Sequence, residues 1–139
     1  MSRIMTASQA SDTQVRTPFE ALGGEAGVRR LVDAFYDAMG GDPAASDVRA
    51  LHGPDLSPMR DRLTDWLVGW MGGPPVYAQR HPGRPCMMSA HARFRIGARE
   101  ADQWMACMRQ ALARAGLDEP WSGLLDQAFD RMCQGLRST

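Results

Sequence analysis

An all-α fold is what this chain predicts, and three observations carry that expectation. Apolar residues recur every three or four positions over four long stretches. Serine–proline or acidic residues open those stretches, and glycines close them. No run alternates apolar and polar residues with period two for more than four positions, so nothing reads as a sheet strand. Four main helices, packed as two pairs, follow.

The elements are justified in order. Residues 1–17 are polar and mixed, the composition of a flexible tail, and the globular domain is expected over 18–139. Gly23-Gly24 precedes a helix over about Glu25–Met39, whose Val28, Leu31, Val32, Phe35, Tyr36 and Met39 share one face. Glu25 suits the positive end of that helix, and Gly40-Gly41 stop it. A short helical piece, about Pro43–Leu51, leads into His52-Gly53-Pro54-Asp55, a turn by composition. Ser57 and Pro58 then open a helix to about Met71, with Met59, Leu63, Trp66, Leu67 and Trp70 on its apolar face. Gly72-Gly73-Pro74-Pro75 ends it.

Residues 76–96 hold too many prolines and glycines for a long regular element. A broken loop of that length inside a small domain usually has a function, and this one carries Tyr77, Met87, Met88, His91 and Phe94. A helix over about Ala98–Ala115 follows, turning Ala101, Trp104, Met105, Met108, Ala111 and Leu112 inward before Gly116. The last, over about Glu119–Leu136, has Pro120 in its first turn and places Trp121, Leu124, Leu125, Ala128, Phe129 and Met132 on one face.

Composition narrows the function. The chain has 139 residues, enough for one domain and one core. Sixteen basic side chains balance sixteen acidic ones, so there is no footprint for nucleic acid or an anionic membrane. Neither an export signal nor a membrane-length apolar run is visible, and three cysteines without a CxxC pair read as reduced thiols; the expected location is the cytoplasm. Every basic side chain is arginine, and with no lysine there is neither Schiff-base chemistry nor a P-loop.

The candidate site centres on Ser89-Ala90-His91-Ala92-Arg93-Phe94-Arg95-Ile96-Gly97, which puts one histidine on a short segment ahead of the helix carrying Trp104. A lone histidine beside apolar residues is more often structural than a ligand. Counting metal ligands sharpens the choice. The three histidines, His52, His81 and His91, include no pair at helical spacing, so zinc and non-haem iron lack their ligand sets. A haem iron needs only one protein ligand, because the porphyrin supplies four nitrogens. His91 is enough for that. Ten methionines and four tryptophans could line such a cofactor, although methionine-rich cores are also simply adaptable.

Phe19-Glu20-Ala21-Leu22-Gly23-Gly24, Phe35-Tyr36, Leu51-His52-Gly53-Pro54-Asp55-Leu56, Gly69-Trp70-Met71-Gly72-Gly73-Pro74, His91-Ala92-Arg93-Phe94-Arg95-Ile96-Gly97 and Asp102-Gln103-Trp104-Met105-Ala106-Cys107-Met108 occur in this order. In combination they resemble the group II truncated haemoglobins, over about Pro18–Met132. The resemblance implies a two-over-two helical globin sandwich enclosing haem b. It makes His91 the proximal iron ligand. Tyr36, His52, Trp104, Leu63 and Met59 become the distal side, and Phe94, Leu67, Tyr77, Arg62, Met87 and Ile96 contact the cofactor. One departure stands out. The group usually carries two arginines just before its proximal histidine, whereas this chain has Met87-Met88-Ser89-Ala90. Propionate pairing would then fall to Arg62, Arg84 or Arg93.

The function so implied is binding of O₂, and of NO or CO, at a pentacoordinate iron in a polar pocket, with a cellular reductase and a monomeric or homodimeric state. Two rivals stand beside it: a haem enzyme acting on NO or peroxide at the same site, and a haem-free helical interaction module.

Overall fold

The computed structural model describes residues 15–83 and 95–137. It contains α1 (Pro18–Leu22), α2 (Gly24–Gly41), a 3₁₀ turn (Pro43–Ala45), α3 (Ser46–Ala50), α4 (Ser57–Trp70), α5 (Tyr77–Arg80), α6 (Ala98–Ala115) and α7 (Trp121–Gly135). There is no strand among the described residues, as the absence of period-two alternation requires. Nor is any helix of the described residues long and apolar enough to cross a membrane.

α2 is the centre of the packing. Its whole predicted face, from Val28 to Met39, is buried. One side of it lies on α6 and the other on α4, while α6 packs on α7. The four long helices thus form two pairs, α2 with α4 and α6 with α7, as the apolar stripes predict. Burying such stripes is the main stabilising term, at roughly 1.5–3 kcal/mol per large apolar side chain.

Two short helices were not anticipated. In α1, Thr17 Oγ1 accepts the Glu20 N–H at 3.1 Å and the Glu20 carboxylate accepts the Arg16 N–H at 2.7 Å. This reciprocal cap holds a helix too short to show a period. α1 ends at Gly23, whose φ of +99° lets the chain reverse into α2. α5 interrupts what reads as loop. Arg80 pairs with Glu25 at 2.7 Å and Asp65 at 2.9 Å, and His81 Nε2 donates to Asp65 at 2.8 Å. α5 is therefore bound to both α2 and α4.

Three details differ from the sequence expectation. Leu124, placed on the inner face of the last helix, is 51% exposed, because Leu125 and Phe129 already fill the contact with α6. Cys107 is buried where the period did not ask for it. Trp104, Met59, Trp66 and Trp70, assigned to inner faces, are only partly buried.

Between α2 and α4 runs a lattice of arginine pairs: Arg29 with Asp33 (3.1 Å) and Asp61 (2.7 Å), and Arg60 with Asp33 (3.1 Å) and Asp37 (2.9 Å). At this exposure each pair is worth about 0–1 kcal/mol, so they fix register more than they add stability.

The closest backbone approach is at Gly27, where a Cβ would lie 1.8 Å from the Leu22 carbonyl oxygen. No side-chain adjustment relieves a clash with backbone. Gly27→Ala should therefore destabilise the fold by about 1–3 kcal/mol, the range for overpacking, read as a lower urea midpoint with unchanged slope. An unchanged midpoint would mean that α1 is not docked on α2 in solution.

Candidate functional site

The site begins on α2. Phe35 and Tyr36 are adjacent, so their side chains leave the helix about 100° apart, yet both are buried. That is feasible because α2 is covered on two sides. The two rings meet edge-on with centroids 4.9 Å apart, and Phe35 also contacts Trp104 of α6 at 5.0 Å. Packing across the α2–α6 contact thus puts Tyr36 and Trp104, 68 positions apart in sequence, against the same Phe35 ring.

Tyr36 is 5% exposed and its hydroxyl has no hydrogen-bond partner among the described residues. Among buried side-chain polar atoms there, only Thr64 Oγ1 is both sealed and unpartnered, so the Tyr36 hydroxyl opens onto accessible space. Burial pushes its pKa well above the ordinary tyrosine range, with Arg62 and Arg60 opposing that rise in part. The guanidinium of Arg60 lies 5.9 Å from the ring centroid. The outcome is a neutral O–H, kept as a donor. The indole N–H of Trp104 likewise has no hydrogen-bond acceptor among the described residues. Two unused donors in an apolar setting suit a ligand that gathers negative charge.

His52 follows α3 and meets Tyr36 edge-on at 6.0 Å. Its Nδ1 donates to the Val48 carbonyl oxygen at 3.0 Å. A carbonyl can only accept, so in the neutral ring Nδ1 carries the proton and Nε2 the lone pair. The Val48 N–H in turn donates to Gln103 Oε1 at 2.9 Å, while Gln103 Nε2 donates to Asp47 at 2.8 Å. One side chain of α6 therefore caps α3 and sets the segment bearing His52.

The remaining predicted residues divide by place. Leu63 and Leu67 of α4 are buried, at 6% and 0% exposure, and Met59 is partly buried with its sulfur 3.4 Å from Arg62 Nη2. Tyr77 of α5 packs against His81, with the rings tilted at 36° and their centroids 5.1 Å apart. Ile96 is buried just before α6. His91, Phe94, Met87, Arg84 and Arg93 lie outside the described residues. Among those described, no group of three or more histidine, cysteine or carboxylate side chains could hold a metal ion.

Sequence reading missed Gln103 and Arg60. No local pattern marks either, because the first acts 55 positions away and the second is one of sixteen arginines with nothing in its neighbours to single it out. A separate polar cleft of about 590 Å³ lies among Glu25, Arg29, Asp65, Arg80 and His81. It shares no lining residue with the Tyr36–Trp104 site, and its carboxylates are already ion-paired.

Comparison with known proteins agrees with this geometry. The family model for bacterial-like globins matches residues 17–135. A group 2 truncated hemoglobin of Bacillus subtilis is 33% identical over 101 residues, 73% of each chain. Among solved structures, a cold-adapted truncated hemoglobin from the Antarctic marine bacterium Pseudoalteromonas haloplanktis is 34% identical with a TM-score of 0.82, over 89% of this chain and 99% of that one. The group II 2-on-2 hemoglobin from Agrobacterium tumefaciens is 33% identical with a TM-score of 0.81, over 90% of this chain and 96% of that one.

Tyr36 gives a pH prediction with a definite sign. Its folded pKa is raised, so the stability it contributes is complete below the unfolded value of about 10 and falls as pH rises beyond it. The urea midpoint should drop more steeply above about pH 10 in the parent than in Tyr36→Phe. Ultraviolet difference spectra at about pH 11 should show equal tyrosinate in the two folded proteins. An excess in the parent would mean that Tyr36 ionises in place.

Proposed function

The chain belongs to the bacterial-like globin family, and on that premise we propose that it is a haem b protein. In this reading its pentacoordinate iron binds O₂, with NO and CO as alternatives, in a polar distal pocket. The observation that carries the reading is the buried Tyr36 hydroxyl, kept protonated by its burial and without a hydrogen-bond partner among the described residues. The residues fit the group: hydrophobic faces at Leu63 and Leu67, and donors at Tyr36 and Trp104. The haem, held through His91, supplies the bond to the diatomic ligand.

The chain's own part is to hold that ligand. Negative charge accumulates on dioxygen as it binds, and the Tyr36 hydroxyl and the Trp104 N–H donate to it. Hydrogen bonds to charged groups contribute about 1.5–3 kcal/mol each, and about 1.4 kcal/mol is tenfold. Two such donors slow release by roughly two orders of magnitude or more. That suits tight holding, as in sensing, storage or redox chemistry, better than rapid unloading. His52, held by the Val48 carbonyl, packs edge-on against the Tyr36 ring and helps to keep that ring in place. Arg62 supplies a cation for a propionate. The cytosol is the compartment proposed, where the buried thiols of Cys107 and Cys133 stay reduced. A cellular reductase and a monomeric or dimeric state complete the proposal.

Turnover of NO or peroxide at the same site is the second reading, favoured by the oxidisable indole of Trp104, which reaches Trp70 through Phe129. Rapid mixing of the oxygenated protein with NO, under a cellular reductant, separates the two: sustained turnover supports the enzyme, and its absence the binder.

The purified protein should show a Soret band that His91→Ala abolishes. Trp104→Phe should speed O₂ dissociation at least several-fold. A colourless protein that refuses added haemin overturns the haem reading, and an unchanged off-rate removes Trp104 from the pocket.

A further inference from the structure

Six aromatic rings form a continuous series through the core. Their successive centroid distances are 4.9 Å for Tyr36–Phe35, 5.0 Å for Phe35–Trp104, 5.9 Å for Trp104–Phe129, 5.0 Å for Phe129–Trp70 and 5.9 Å for Trp70–Trp66. Four helices contribute: α2, α6, α7 and α4. A core needs apolar bulk, but it does not need three indoles in one series of touching rings, with Phe129 between Trp104 and Trp70. Indole and phenol rings yield an electron far more readily than a phenyl ring, so Phe35 and Phe129 serve as bridges.

The two ends differ in their capacity to hold a missing electron. At Tyr36, oxidation must expel the hydroxyl proton, and no described residue accepts it. The ring also faces the Arg60 guanidinium at 5.9 Å, which opposes further positive charge. At the other end, Trp66 and Trp70 are near-parallel, at 22°, and only partly buried. An indole can lose its electron before its proton, and the face of a second indole stabilises the resulting cation as it does any cation.

We propose that the series Trp104–Phe129–Trp70–Trp66 takes an oxidising equivalent from the haem pocket and stores it as an indolyl radical on the Trp66/Trp70 pair when hydrogen peroxide reacts there. This rests on the haem reading above. Peroxide reduction breaks the O–O bond and forms two O–H bonds, consuming two protons from solvent and two electrons. One of those electrons would come from the haem and the other from the tryptophan pair. The indole N–H proton then passes to water at the partly exposed pair. Two equivalents of a small one-electron reductant, such as a phenol or a thiol, would return both electrons, one to the pair and one to the haem, and the indole would regain its proton from solvent.

The test treats the haem-loaded ferric protein with hydrogen peroxide and follows it by freeze-quench electron paramagnetic resonance and nitroso spin trapping. Adducts are mapped in the peptide spanning residues 63–80. The expected result is a tryptophan-type radical with adducts on Trp66 or Trp70. In Trp66→Phe/Trp70→Phe the trapped yield falls several-fold while the Soret band is retained. Phe129→Leu, which removes a bridge but no oxidisable ring, shifts adducts to Trp104. Adducts confined to Tyr36, or an unchanged yield in the double variant with its Soret band intact, overturn the proposal. A protein without any Soret band fails the haem reading itself.

Discussion

The contact of α2 with α6 determines both the fold and the site. Phe35 is fully buried there, and its ring lies 5.0 Å from Trp104 on one side and 4.9 Å from Tyr36 on the other. Since Phe35 and Tyr36 are neighbours on one helix, Tyr36 cannot leave its place without opening the centre of the core. The packing that stabilises the domain therefore also fixes the side chains of the proposed site, so their ordering cost is met during folding.

Electrostatics support the same arrangement from outside. Arg60 reaches from α4 to Asp33 and Asp37 on α2 while its guanidinium covers the Tyr36 ring. Arginine stays charged over the whole accessible pH range. The cation beside Tyr36 is thus permanent. A lysine-free chain gains this constancy at every basic position.

Much of the fold was legible because long helices declare themselves by period. The stripe from Val28 to Met39 is buried throughout. The Ser57-Pro58 start and the Gly72-Gly73 stop bracket α4 closely. The exceptions have physical reasons. Leu124 obeys the period but points past the edge of the α6–α7 contact, where its neighbours already fill the space. Helices of four or five residues, such as α5 and α1, are held by Arg80, Asp65 and Thr17 rather than by an apolar stripe. In the candidate site, Tyr36 and Trp104 are assignments by resemblance, and the α2–α6 packing sets both rings against Phe35. Gln103 could not, since a side chain that caps a helix half the chain away leaves no local trace. His91, Phe94 and Met87 stand as sequence assignments, outside the described residues.

The Val48 peptide is engaged at both ends, its N–H by Gln103 of α6 and its carbonyl by His52. The two groups belong to successive peptide planes, 47–48 and 48–49, which share the Val48 Cα inside α3. One residue of α3 thus answers to the helix that carries Trp104 through its N–H and to the imidazole that meets Tyr36 through its carbonyl. A shift of α3 would strain both hydrogen bonds together, so that short helix is pinned from two directions.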